Sequence, residues 1–292
     1  MSFSIITDTS ANLPTPWLTE NNVTAVPFSY SIEGEEFVCT NTAQFNAGEF
    51  YKYLKDGIKV TTSQINPQRY IDYMEPALKE GKDILYIGMS SGVSGSFCSA
   101  QTAREQLLKE YPQRRIRLVD SLGASLGEGL LVLMAAACRK EAMSLGQTAD
   151  FLLKRRQYIR QVFTVDDLMF LRRGGRLSNA GALVGTILGI KPLLKGNEAG
   201  KIVSFARVRG RKGVIAALAG EYERLSDGGG RTVGISHAGC PEDAQRLARL
   251  ILEGGNPPAE LMIVEHEPVT GSYLGPGALA LYYEGDESVR LK

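Results

Sequence analysis

Short apolar runs that end in turn residues alternate along this chain with amphipathic stretches long enough to be helices. SIITD at 4–8 is followed by a capped helix after Ser10 to Asn12, DILYIGM at 83–89 by a helix from about Ser94, and RIRLVD at 115–120 by GEGLLVLMAAACRKEAM at 127–143. This strand and helix rhythm predicts a parallel sheet covered by helices. FSYSIEGEEFV at 28–38 departs from the rhythm and reads as an inserted hairpin turning at Glu33 and Gly34. In FNAGEFYKYLKDG, Asn46 as N-cap, Glu49 three residues later and Gly57 as a stop signpost another helix.

Beyond a helical stretch ending near Tyr158 the pattern changes. QVFTVDD gives way to a Gly and Arg-rich loop, then to KPLLKGNEAGKIVSFARV as a hairpin, then to two strand and helix alternations through RTVGISH and AELMIVEHE. The boundary is placed near residue 160, giving lobes at 1–160 and 161–292. With 292 residues and 43% hydrophobic content, the chain can bury two cores. The Gly-rich 227–231 stretch is read as a surface turn.

Composition excludes several classes. The 33 basic and 32 acidic residues leave a net +1, so no long-range field gathers nucleic acid or an anionic membrane. The amino terminus has no basic region of the secretory type, and no run approaches the ~18 apolar residues of a spanning helix. Cys39, Cys98, Cys138 and Cys240 form no C-x-x-C pair, and His237 and His266 are the only histidines. A metal centre or disulfide framework is not expected, and the compartment is read as reducing.

Two segments suggest an anion site. SSGVSGSFCSAQTA opens a helix with hydroxyls and glycines, where unpaired amides and the helix dipole favour negative charge and Ser94 adds a hydroxyl. VTTSQINPQRY places three hydroxyl residues and an amide ahead of Pro67 at another helix start. Either alone is explained as a cap. Together, their neutral donors suit a carboxylate held without a buried counter-charge.

Other segments compete. Gly123-Ala124-Ser125-Leu126-Gly127 matches the G-x-S-x-G elbow of an α/β serine esterase, with Ser125 as nucleophile, Asp166 or Asp167, and His237 or His266 downstream in order. The preceding strand ends at Asp120, early for such an elbow, and no oxyanion loop precedes it. LRRGGRLS at 171–178 and ARVRGRKG at 206–213 are basic loops, either solvated or a docking face. RNA binding is a further use for them, without an aromatic stacking module. EPVTGSYLGPGALALYY reads as a turn built on Gly275, Pro276 and Gly277 before an apolar strand, with Tyr273 able to offer a phenol.

Taken in order, TDTSANLP, VTTSQ, SSGVSGSF, VDSLGASLGEG, LRRGGRLS, GIKPLL, VRGRK and GPGALALYY resemble the DegV family over nearly the whole chain. The resemblance implies an α/β fold of two lobes. The first has a Rossmann-like parallel sheet with a small hairpin insertion, the second is mixed α/β, and a long-chain fatty acid lies buried between them. It further implies a bacterial, cytoplasmic lipid carrier in phospholipid precursor metabolism, a monomer without catalytic activity, cofactor or metal. Such a carrier presents the acid to the catalytic subunit of a fatty acid kinase, which forms the acyl phosphate. The implied carboxylate contacts fall on Thr62 and Ser94, with Ser63 and the Gly95 amide nearby. A further implied carboxylate contact, often supplied by histidine just before GPG, falls here on Tyr273, whose phenol can donate one hydrogen bond but does not become cationic near neutral pH. Arg173, Arg176 and Arg209 match the basic docking positions. Each buried methylene contributes about 0.8 kcal/mol against about 1 kcal/mol for a net hydrogen bond, so the tail sets affinity and the head group orientation. The apolar residues of GALVGTILGI at 181–190 are candidates for the lining or, if helical, equally for ordinary core.

Overall fold

The computed structural model describes residues 3–178, 189–226 and 231–285. Strand β1 (Phe3–Asp8) is almost wholly buried, and Asp8 turns the chain by accepting Ser10 N into a 3-10 turn at Thr9–Ala11. Helix α1 (Thr15–Glu20) starts behind Pro14, beyond the Ser10 to Asn12 start that the sequence suggests, because Asp8 caps the 3-10 turn instead. After β2 (Val23–Val26), β3 (Ser29–Ile32) and β4 (Glu35–Val38) form the expected hairpin. Glu33 and Gly34 have φ of 51° and 93°, as a two-residue hairpin turn of the right twist requires. Helix α2 (Ala47–Lys55) is capped as expected, Asn46 accepting from Glu49 N at 3.2 Å. Next come β5 (Val60–Ser63), α3 (Pro67–Lys79), β6 (Asp83–Gly88), α4 (Ser96–Glu110), β7 (Ile116–Asp120), α5 (Leu126–Lys140) and α6 (Leu145–Arg155). The chain continues through β8 (Ile159–Thr164), α7 (Met169–Arg173), β9 (Ile190–Gly196), β10 (Ile202–Arg209), α8 (Arg211–Leu225) and β11 (Thr232–His237). It ends with α9 (Pro241–Leu252), β12 (Glu260–Glu265), α10 (Pro268–Leu274) and β13 (Leu279–Glu284).

These elements divide into two compact units, Met1–Phe45 with Thr61–Arg156, and Asn46–Val60 with Gln157–Lys292. In the first, a parallel sheet runs in the order β2-β1-β6-β7. Every residue of β6 is buried, as a central strand covered by helices on both faces requires. The chain leaves β1 for β2 on one side and returns to β6 on the other. The carboxyl ends of β1 and β6 therefore flank a topological switch point, where open α/β sheets bind ligands. A small sheet, β4-β3-β5, accompanies it.

The second unit holds a mixed sheet in the order β10-β9-β8-β13-β11-β12, in which β11 and β12 pair in parallel. Its core packs Val214, Ile215 and Leu218 of α8 and Leu247 and Ile251 of α9 against Ile235, Leu281 and Tyr283 of the sheet. Helix α2 is held here by Tyr51, whose hydroxyl donates to His266 O at 2.8 Å. Helix α10 corrects the reading of EPVTGSYL as turn. Glu267 accepts from Val269 N at 2.7 Å and Thr270 N at 2.6 Å, so an acidic cap nucleates a helix too short to show periodicity. Residues 181–188 of the candidate lining and 227–230 of the Gly-rich stretch lie outside the described residues.

Candidate functional site

The two hydroxyl-rich segments meet in the first unit. Most of VTTSQ is strand rather than loop, β5 reaching Ser63. Alternation along the strand puts Thr62, half-buried, and Ser63, exposed, on opposite faces. The chain then passes Gln64 and enters α3 through Asn66, which caps Arg69 N at 2.9 Å, with Pro67 in the first turn. Ile65 N donates to Ser96 Oγ at 3.1 Å, and Gln64 Nε2 reaches Ser99 Oγ at 3.5 Å. Gly95 lies so close to Gln64 that a Cβ there would overlap Gln64 Oε1. Ser94 Oγ accepts from Ser96 N at 3.2 Å and donates to Ser96 Oγ at 3.0 Å. The first amides of α4 have no intrahelical acceptor, so half-buried Ser94 and the Gly95 main chain lie at a helix end that favours an anion, with Thr62 three residues before Ile65 along the adjoining segment.

Beneath these segments lies a buried acid pair that sequence reasoning missed. Asp8 Oδ2 accepts from Tyr86 OH at 2.9 Å and from Met89 N at 3.1 Å, and Tyr86 OH meets Tyr70 OH at 2.8 Å. Asp8 thereby fixes the start of the SSGVSGS segment, and the tyrosine pair ties α3 to the same point. Glu128, fully buried, takes Thr7 Oγ1 at 2.7 Å and Ser10 Oγ at 2.5 Å. Burial raises Asp8 against the hydrogen bonds from Ser10, Met89 and Tyr86, and burial with the nearby Asp8 charge raises Glu128 well above the carboxylate range. The available signal was a lone acid at the start of the apolar helix GEGLLVLM.

Ser125 immediately precedes α5 in a strained conformation, φ 52° and ψ −143°, but is only 1% exposed. Its Oγ accepts from Asn12 Nδ2 at 3.2 Å. The first unit contains neither histidine. In the second, His266 is fully buried, with Nε2 3.0 Å from Ser236 Oγ and Nδ1 3.3 Å from Thr270 Oγ1. Burial lowers its pKa to about 3, leaving it neutral. His237 Nδ1 lies 3.4 Å from Glu265 Oε1. A hydroxyl this inaccessible, already bonded to Asn12, is not a nucleophile open to substrate.

The remaining candidates are in the second unit. Tyr273 lies on α10, half-buried, with Arg176 Cζ 4.5 Å from its ring centroid. Arg173 is exposed at the end of α7, and Arg209 is exposed at the end of β10. The basic loop joins the other end of β10, Ser178 N donating to Ile202 O at 3.0 Å. These two attachment points are separated by roughly 20 Å of strand. Arg211 is committed to Asp243 at 2.7 Å and Asp166 at 3.3 Å, and Lys191 also pairs with Asp166 at 2.7 Å. Among the described residues, no group of three or more His, Cys, Asp or Glu side chains is placed to hold a metal ion, and no helix is long and apolar enough to cross a membrane.

Known proteins resemble this chain over nearly its whole length. A DegV domain-containing protein of Clostridium perfringens is 36% identical over 285 residues, covering 97% of this chain and 98% of its own. One from Streptococcus pyogenes is 32% identical over 288 residues, covering 99% and 100%. Among solved structures, a DegV family protein from Thermus thermophilus, described for its fatty acid binding, aligns with TM-score 0.89 and 28% identity over 97% of this chain and 100% of that one. A fatty acid binding DegV family protein from Streptococcus agalactiae aligns with TM-score 0.85 and 30% identity over 97% and 98%. The profile of the DegV family of uncharacterised proteins matches residues 2–286, and on that match and these relatives the chain belongs to the DegV family.

Proposed function

We propose that this protein binds a long-chain fatty acid and serves as its carrier without acting on it. The observation that carries the reading is the junction of the two donor segments, where Ile65 N meets Ser96 Oγ at 3.1 Å beside Thr62, Ser94 and Gly95. The hydroxyls of Thr62 and Ser94, the Gly95 amide and the positive end of α4 suit a carboxylate that needs no buried cation. Ser63, exposed at the end of β5, lies next to Thr62 as a nearby donor. The names of the relatives from Thermus thermophilus and Streptococcus agalactiae, which specify fatty acid binding, support the ligand class.

The test is solvent extraction of the purified protein and mass spectrometry, followed by titration with a fluorescent long-chain acid. A co-purifying or readily bound fatty acid is expected; no extracted acid and no uptake would sink the proposal. Docking to a fatty acid kinase catalytic subunit is assigned to Arg173 and Arg209, a reading supported by their charge and exposure. In a transfer assay with such a subunit, Arg173→Ala with Arg209→Ala is expected to slow acyl-phosphate formation while leaving bound lipid unchanged. Loss of lipid from that variant would contradict the docking assignment.

A further inference from the structure

The basic loop and the end of α10 are interlocked by two aromatic rings, each seated on the other segment's glycine. A Cβ at Gly174 would overlap the Tyr273 ring, and a Cβ at Gly275 would overlap the Phe170 ring. Over the Tyr273 ring lies the Arg176 guanidinium, 4.5 Å from the centroid, and Arg176 Nη1 also donates to Gly174 O. The loop's own turns close through Gly174 N to Phe170 O at 3.0 Å and Arg176 N to Leu171 O at 3.1 Å. Gly174 has an ordinary helical φ of −72°, so glycine is needed there for space rather than for backbone freedom. Arg172 and Arg173, between these anchor points, are exposed.

We propose that Tyr273 is a positioning residue for this loop, its ring clasping Gly174 and Arg176 so that Arg172 and Arg173 are presented on a fixed surface to a carboxylate-bearing protein partner. This rests on the docking reading above and assigns Tyr273 a task that its ring performs. A guanidinium over an aromatic face attracts the ring quadrupole, and a phenylalanine face serves nearly as well as a tyrosine one. A fixed loop loses less conformational freedom on docking than a mobile one.

Hydrogen exchange read by mass spectrometry on peptides spanning 169–178 tests the clasp without any partner. Tyr273→Phe, which keeps the ring, is expected to leave exchange in these peptides well below that of a variant without it. Tyr273→Leu, apolar but without a π face, is expected to speed it roughly fivefold, with peptides of β13 and α8 unaffected. Gly174→Ala, which intrudes on the ring from the other side, is expected to match the leucine variant. In the kinase transfer assay, compared at equal bound fatty acid, Tyr273→Leu should raise the KM for the carrier severalfold, and Tyr273→Phe should restore it. Unchanged loop exchange in Tyr273→Leu, or Tyr273→Phe exchanging as fast as Tyr273→Leu, overturns the proposal. Absence of transfer by the wild-type protein would instead overturn the docking reading, the exchange measurement still deciding the clasp.

Discussion

Thr62 and Ser63 have similar side chains and adjacent positions, yet the pleat of β5 gives the half-buried face to one and the exposed face to the other. Only Thr62 is therefore expected to share a ligand with Ser94 through its hydroxyl. Thr62→Ala with Ser94→Ala should weaken fatty acid binding roughly tenfold to a hundredfold, the value of two hydrogen bonds at about 1 kcal/mol net each. Displacement of a fluorescent acid measures this, and unchanged affinity would place the head group elsewhere. The hydroxyl-rich composition of both segments was legible in the sequence because caps and anion sites use the same residue types. The pairing beneath them was not, since Asp8 and Glu128 are far apart in the chain and the one local sign, an acid heading the apolar helix GEGLLVLM, does not name its partner.

At the scale of elements, most helices announce themselves by caps and stops, as α2 does with Asn46 and α3 with Asn66 and Pro67. Helix α10 does not, because its first-turn amides depend on Glu267, whose side chain folds back to accept both Val269 N and Thr270 N. A glutamate is a weaker sequence signal for an N-cap than serine or aspartate. Glu267→Ala is expected to destabilise the protein by about 1–2 kcal/mol, read as a lower urea midpoint at unchanged slope. Glu267→Gln, keeping one acceptor, should lose less. If the alanine variant matches wild type, the cap does not support α10.

Over the whole molecule, two buried titrating groups act in opposite directions. His266 in the folded protein is held near pKa 3 against an ordinary 6.5, so the unfolded chain takes up its proton first. Its contribution to stability is complete above about pH 6.5 and is lost as pH falls toward 3, at up to about 1.4 kcal/mol per unit. Glu128 is raised from an ordinary 4.5, so its contribution is complete below that value and is lost as pH rises through its folded pKa. Glu128→Gln should therefore flatten the decline of stability with rising pH while leaving the acid-side loss from His266 in place. Urea unfolding across pH 4 to 8 checks both limbs, and an unaltered alkaline limb in the variant would remove Glu128 from the account. By itself the sequence determined the strand and helix alternation, the β3 and β4 hairpin and the two hydroxyl-rich segments ahead of helices, because periodicity, turn chemistry and capping are local. Only the tertiary structure decided which strand ends share a switch point, which face Thr62 takes, that Asp8 and Glu128 are buried together, and that Tyr273 seats on Gly174. Those outcomes depend on contacts between residues distant in the chain, whose burial and spacing no local pattern encodes.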